Sequence, residues 1–114
     1  MSKKEPFHGH PDYIKRTEEE LELHSRKNKD YAHDGDPLGN FKRVSDILKI
    51  WGFDISPELV ALIYSLKQQD CTMWQLSQGY EGQVEGIEER LQDTYIYTKI
   101  ARVLIREKTE GASA

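Results

Sequence analysis

Apolar residues recur along most of the chain at helical spacing, and no stretch alternates long enough to build a strand. The pattern predicts an all-α protein with four main helices in a bundle-like domain. A first helix is expected from Asp12 to about Ala32, with Ile14, Thr17, Leu21, Ser25, Asn28 and Ala32 as an unusually polar inward stripe. The segment from His33 to Pro37 breaks it, and Asp36-Pro37 reads as an N-cap and first turn for the second helix. That helix carries Phe41, Val44, Ile47, Leu48 and Trp51 on one face and stops at Gly52. Ser56-Pro57-Glu58 repeats the start signal. The third helix then places Leu59, Leu62, Ile63, Leu66 and Met73 on one side, the expected core side, with Trp74 at its edge. After a break from Ser77 to Gly82, the fourth helix runs from about Gln83 to Lys108. Its inward set is Val84, Ile87, Leu91, Tyr95, Thr98 and Ile105, and Ile96, Ile100 and Val103 form a second strip. A helix apolar on two sides needs two partners, so the last helix is expected to contribute to a homodimer interface as well.

Composition sharpens this. Only 37% of the 114 residues are hydrophobic and 32% are charged, enough for one thin core that homodimerisation would complete. Residues 1–11 read as a flexible arm, 12–108 as the single helical domain and 109–114 as a frayed tail. The net charge of −4 argues against direct DNA or RNA binding, which favours a basic excess. Apolar runs are too short for a membrane span. The N-terminal residues lack the apolar stretch of a secretory signal, and a lone cysteine, Cys71, has no disulfide partner. Cytoplasmic residence is the resulting expectation. Cys71 has no obvious base beside it, and the His8-x-His10 pair belongs to the arm, where it reads as a solvated tail.

The fourth helix holds the most informative chemistry. Glu85, Glu89 and Asp93 recur every four residues and stack in one column, with Glu88 beside them. Like charges at that spacing cost an isolated helix roughly 0.2–0.5 kcal/mol per pair, and no lysine interrupts the column. Massed carboxylates of this kind suit a hard divalent cation such as Mg²⁺; a solvated acidic stripe paired with lysines elsewhere is the competing reading. On the third helix, Asp70 falls within the apolar stripe and must find a cation, a cap or a cavity. Lys67, one turn earlier, reaches towards a phosphate or simply bridges to an acid. Glu18, Glu19 and Glu22 form a run that also suits a helix N-terminal half. His24 and Asn28 need hydrogen-bond partners, either a ligand's base or sugar or a neighbouring helix. The helix start after Pro37 offers backbone N–H groups to an anion, with Asn40 and Lys42 or Arg43 nearby. It lacks a P-loop's glycine-lysine pattern, and a structured turn over Tyr31 and Phe41 explains it equally well.

Taken in order, Lys27-x-x-Asp30-Tyr31, Asp36-Pro37-x-x-Asn40-Phe41, Lys67 and Glu85-x-Ile87-Glu88-Glu89-x-Leu91-x-Asp93-x-x-x-Tyr97 resemble small helical proteins of bacteriophages and prophages. The resemblance is to the nucleotide modification associated domain 1 group and, more distantly, to the all-helical MazG-type nucleoside triphosphate pyrophosphohydrolases. It spans about residues 24–98. It implies a phage setting in a bacterial host, a nucleotide ligand and Mg²⁺. Glu85, Glu88, Glu89 and Asp93 become metal candidates, and Asp30, Asn40 and Lys67 nucleotide or phosphate candidates, to which the helix start after Pro37 adds Arg43. Catalysis would use Glu88 or Glu89 as base or ligand, with Lys67 countering charge on the leaving group. The chain departs from the MazG-type pattern in having Glu89-x-x-x-Asp93 for Glu-x-x-Asp, and Asp70 where an arginine is expected. The expected function is Mg²⁺-dependent hydrolysis of a nucleotide phosphoanhydride. The alternatives are a phage protein that binds or sequesters a nucleotide through Arg43, Lys67, Trp51 and Tyr80, and a helical adaptor that uses Trp74 and Tyr80.

Overall fold

The computed structural model describes residues 5–32, 35–80, 82 and 85–113. Among them are four helices and no strand: α1 (Pro11–Ala32), α2 (Gly39–Ile50), α3 (Pro57–Gln78) and α4 (Ile87–Ser113). The expected break at His33 and Asp34, and the expected start of the last helix at Gln83 and Val84, lie outside the described residues.

Local signals account for most helix ends. At α3, Ser56 caps the N-terminus through its hydroxyl, which accepts the Leu59 N–H at 3.4 Å, and Pro57 follows in the first turn. Gly52 (φ 89°) and Gly79 (φ 62°) take the left-handed conformation that turns the chain out of α2 and α3. The Phe53 and Tyr80 N–H groups then bond back to the carbonyls of Leu48 and Gln75. Asp36 behaves differently from a cap. Its carboxylate accepts the Leu38 N–H at 2.9 Å, making a turn two residues long, and α2 begins only at Gly39. The delay drives Leu38 into the core.

The core is small. Leu38 and Phe41, Val60 and Ala61 of α3, and Ile96, Ile100, Ala101 and Leu104 of α4 form one cluster. Leu23, Val44, Leu48, Ile55, Tyr64 and Tyr97 pack against it. Small residues set the α3–α4 approach: Ala61 is wholly buried, and the Ser65 hydroxyl donates to the Thr94 carbonyl at 3.1 Å. Ser45 ties α2 to the loop before α3 by donating to the Ile55 carbonyl. Ion pairs Lys108–Glu58 and Lys42–Glu107 fasten the far end of α4.

This arrangement reverses the expected burial on three helices. On α3 the inner face is Val60, Ala61, Ser65, Thr72 and Gln75, while Leu59, Leu62, Ile63, Leu66, Met73 and Trp74 face solvent. Asp70 is exposed as well, so it carries no burial cost. On α4 the strip Ile96–Ile100 lies in the chain's own core, whereas Leu91, Tyr95, Thr98 and Ile105 are exposed. On α1, Ile14, Leu21 and Ser25 point outward, and the half-buried residues are Thr17, Glu19, Glu20, Leu23, His24, Lys27 and Asn28. In α2, Phe41 is buried and Val44 and Leu48 half-buried, but Ile47 and Trp51 are open to solvent. On α3 the close approach to α4 is built on small and polar side chains such as Ala61 and Ser65, so side-chain size misidentifies its inner face, whereas Phe41 of α2 and Ile96, Ile100 and Leu104 of α4 are large residues in the core.

Among the described residues no helix is long and apolar enough to cross a membrane.

Candidate functional site

The polar face of α1 lies against α4, and two separate cavities lie along it, an outer one and an inner one. The outer cavity, of about 640 Å³, has Tyr13, Arg16, Thr17, Glu19 and Glu20 of α1 on one wall. Glu88, Glu89, Leu91, Gln92 and Tyr95 of α4 form the other. Arg16 bridges the walls to Glu88 at 2.9 Å, and the neighbouring Tyr95 hydroxyl raises the Tyr13 phenol above its ordinary value. Burial raises the Glu20 carboxyl above its ordinary value, against the pull of Lys99. The Lys99 ammonium sits 4.7 Å from the centre of the Tyr95 ring.

The inner cavity, of about 240 Å³, is the point where all four helices meet. His24, Lys27 and Asn28 come from α1, Asn40 and Phe41 from α2, Tyr64 from α3, and Asp93, Ile96, Tyr97 and Ile100 from α4. Three aromatic rings make one side of it: Phe41 and Tyr64 are 5.8 Å apart, Phe41 and Tyr97 6.2 Å, and Tyr64 and Tyr97 5.5 Å. The contacts are tilted or edge-on, with Phe41 buried and Tyr64 and Tyr97 half-buried.

Asp93 occupies this pocket as the one buried carboxylate among the described residues. Its oxygens accept from Lys27 Nζ and from Gln68 Nε2, each at 3.4 Å. Gln68 in turn accepts from Arg90 at 2.9 Å, and Arg90 lies 3.6 Å from Glu85. Hydrogen bonds of 3.4 Å to a buried charge are long for charge-assisted pairs. Asp93 and Lys27 are therefore incompletely satisfied by each other, and both have bonding capacity left for a ligand. Beside them, the Asn28 amide donates to the His24 carbonyl at 3.1 Å and lies within 3.2 Å of both imidazole nitrogens. Burial, and then the Lys99 charge, lower the His24 imidazole below its ordinary value, so it is neutral at pH 7.

The four acids of the predicted metal set are distributed through this network. Glu85 faces Arg90, Glu88 is salt-bridged to Arg16 in the first turn of α4, Glu89 lines the outer cleft and Asp93 sits in the inner pocket. Among the described residues, no three His, Cys, Asp or Glu side chains come together as the ligands of an ion. Of the nucleotide candidates, Asn40 lines the inner pocket. Asp30 is exposed in the last turn of α1, and Lys67 is exposed on α3; neither lines the cleft. Arg43 is exposed on α2 and lays its guanidinium over Gly39, where an added Cβ would lie 2.9 Å from Nη1. Trp51 is exposed, and Trp74 and Tyr80 stack edge-to-face at 5.6 Å away from the cleft. The residues that the acid column did not suggest are Thr17, Gln92, Tyr64 and Lys27. Lys27 had a signal, as the first residue of the Lys-x-x-Asp-Tyr segment.

Comparison with protein-family models, curated proteins and solved structures finds no match to this chain. The functional reading therefore rests on the chain's own residues.

Proposed function

We propose that the α1–α4 cleft binds a nucleotide or a closely related phosphate-bearing aromatic ligand, in the phage and prophage setting that the sequence resemblance implies. The observation that carries this reading is the half-satisfied Lys27–Asp93 pair beside the Phe41–Tyr64–Tyr97 rings. A planar base suits the aromatic side, with Asn28, Asn40 and neutral His24 as hydrogen-bonding groups for its edge or its sugar. Lys27 offers positive charge to a phosphate once it is drawn from Asp93, and the outer cleft gives the rest of the ligand room. Asp93 would accept from a ligand N–H or O–H. In this reading the protein works inside a bacterial cell as a homodimer.

Hydrolysis of a phosphoanhydride is the second reading, favoured by the carboxylates on both walls of the outer cleft, Glu19 and Glu20 facing Glu88 and Glu89. Mg²⁺ would supply charge neutralisation there. Among the described residues these acids do not converge as the ligands of an ion.

A thermal-shift panel of nucleotides, with and without Mg²⁺, tests both. At ~100 times its dissociation constant a ligand adds about 2.7 kcal/mol of stability and moves the melting temperature by roughly 10 °C. The shift is expected to vanish in Lys27→Ala. No shift with any nucleotide would defeat the binding reading. Where a nucleotide does bind, its recovery intact after incubation with Mg²⁺ marks a binder. Mg²⁺-dependent breakdown that is lost in Glu89→Gln marks an enzyme.

A further inference from the structure

Helix α3 is built inside out. Its intramolecular face is made of small or polar residues, and its large aliphatic side chains lie on the opposite side. The outward set has a strict repeat. Leu59, Leu66 and Met73 are seven residues apart, and Leu62, Gln69 and Leu76 interleave with them three residues later. This is the two-position seam of a coiled coil, sustained over three heptads. The five apolar members are 41–69% exposed. The outward face of α3 is thus an apolar layer.

We propose that this layer pairs with the same layer of a second copy of the chain, α3 running antiparallel to α3 across a two-fold axis, to give an intermolecular four-helix bundle. Two features of the molecule select a second copy as the occupant. The first is self-complementarity. With the axis between residues 67 and 68, the midpoint of Pro57–Gln78, every seam position of one kind meets one of the other. Leu59 then faces Leu76 of the second copy, Leu62 faces Met73, and Leu66 faces Gln69. Between Leu59 and Gln78 the helix carries two charged residues, Lys67 and Asp70, of opposite sign and beside that midpoint. The same axis brings each Lys67 close to the level of the other copy's Asp70, so opposite charges approach across it. The second feature is area. The chain exposes 8978 Å², whereas a compact monomer of its mass exposes ~6,450 Å². That excess is spread over the whole chain, the exposed residues 5–16 included, and the α3 seam is the part of it that carries an apolar heptad repeat. The dimer contact stands whether or not the cleft on the α1 side of α4 binds a nucleotide, and Lys67 belongs to it instead of to a phosphate site.

Light scattering coupled to size exclusion on the full chain tests this. The wild type is expected at twice 13.3 kDa. Leu66→Glu is expected at half the wild-type mass, with its helical circular dichroism intact, because Leu66 lies outside the chain's own core. Charge reversal reads the register. Lys67→Asp is expected to weaken dimerisation about tenfold, and adding Asp70→Lys in the same chain to restore it. A wild-type monomer at every concentration would overturn the proposal and leave the face to a different protein. So would a dimer indifferent to Leu66→Glu, or a double variant no tighter than Lys67→Asp alone.

Discussion

At the scale of single residues, His24 shows how burial sets chemistry. Its imidazole is held below the ordinary value of 6.5 by desolvation first and by the Lys99 charge second. The unfolded chain therefore takes up a proton at a higher pH than the folded one does. Stability is unaffected well above pH 6.5 and falls as the pH drops through the unfolded value towards the depressed folded one. Glu20, raised by burial, works in the opposite sense, but its ordinary value of 4.5 places its effect lower on the scale. Denaturation midpoints measured between about pH 7.5 and pH 5.5 should decline in the wild type and decline less in His24→Gln. An equal decline in both would assign the loss to other groups. Asp93 illustrates a different limit. The four-residue spacing marked it as one of a column, yet it alone of that column is buried, because α1 crosses α4 at its level and supplies Lys27. Nothing in the spacing of Glu85, Glu89 and Asp93 announces that crossing.

Among the elements, α1 is the odd member. None of its described residues is fully buried, and it is held by the polar links Arg16–Glu88, Tyr13–Tyr95 and Lys27–Asp93 more than by its half-buried Leu23. Polar contacts on half-exposed surfaces contribute little net stability, so α1 forms the low-stability part of the fold. Amide hydrogen exchange is expected to be faster across residues 11–32 than across the buried turns of α3 and α4, and a bound ligand is expected to slow it selectively in α1. Uniform protection would show that α1 unfolds only with the rest. The same helices show what the sequence discloses and what it hides. The α3 boundaries were legible because Ser56-Pro57 and Gly79 each act through local backbone geometry. Its inner face was not, because Val60, Ala61, Ser65 and Thr72 announce themselves only through the partner they fit. Leu59, Leu66 and Met73 have the period of a buried face but lie on the exposed side of the helix. On α4 the two apolar strips were both visible, but which one faces the chain's own core depends on where α1 and α2 lie.

For the whole molecule, a radius of gyration of 16.9 Å exceeds the ~13.3 Å of a compact domain of this length. The extents of 48 × 43 × 24 Å describe a slab about two helices thick. The cleft opens between α1 and α4, whereas the apolar seam lies on the exposed face of α3. The placement of its bulkiest aliphatic side chains has a further consequence. Leu59, Leu62, Leu66, Met73 and Leu76 stay 41–69% exposed in the single chain, so the proposed pairing would add hydrophobic burial that the chain does not reach alone. Dilution should then act on this protein as a mild denaturant. Calorimetric scans over a hundredfold range of concentration would display a transition that climbs with the amount of protein present, and a transition indifferent to that amount would show the lone chain sufficient in itself.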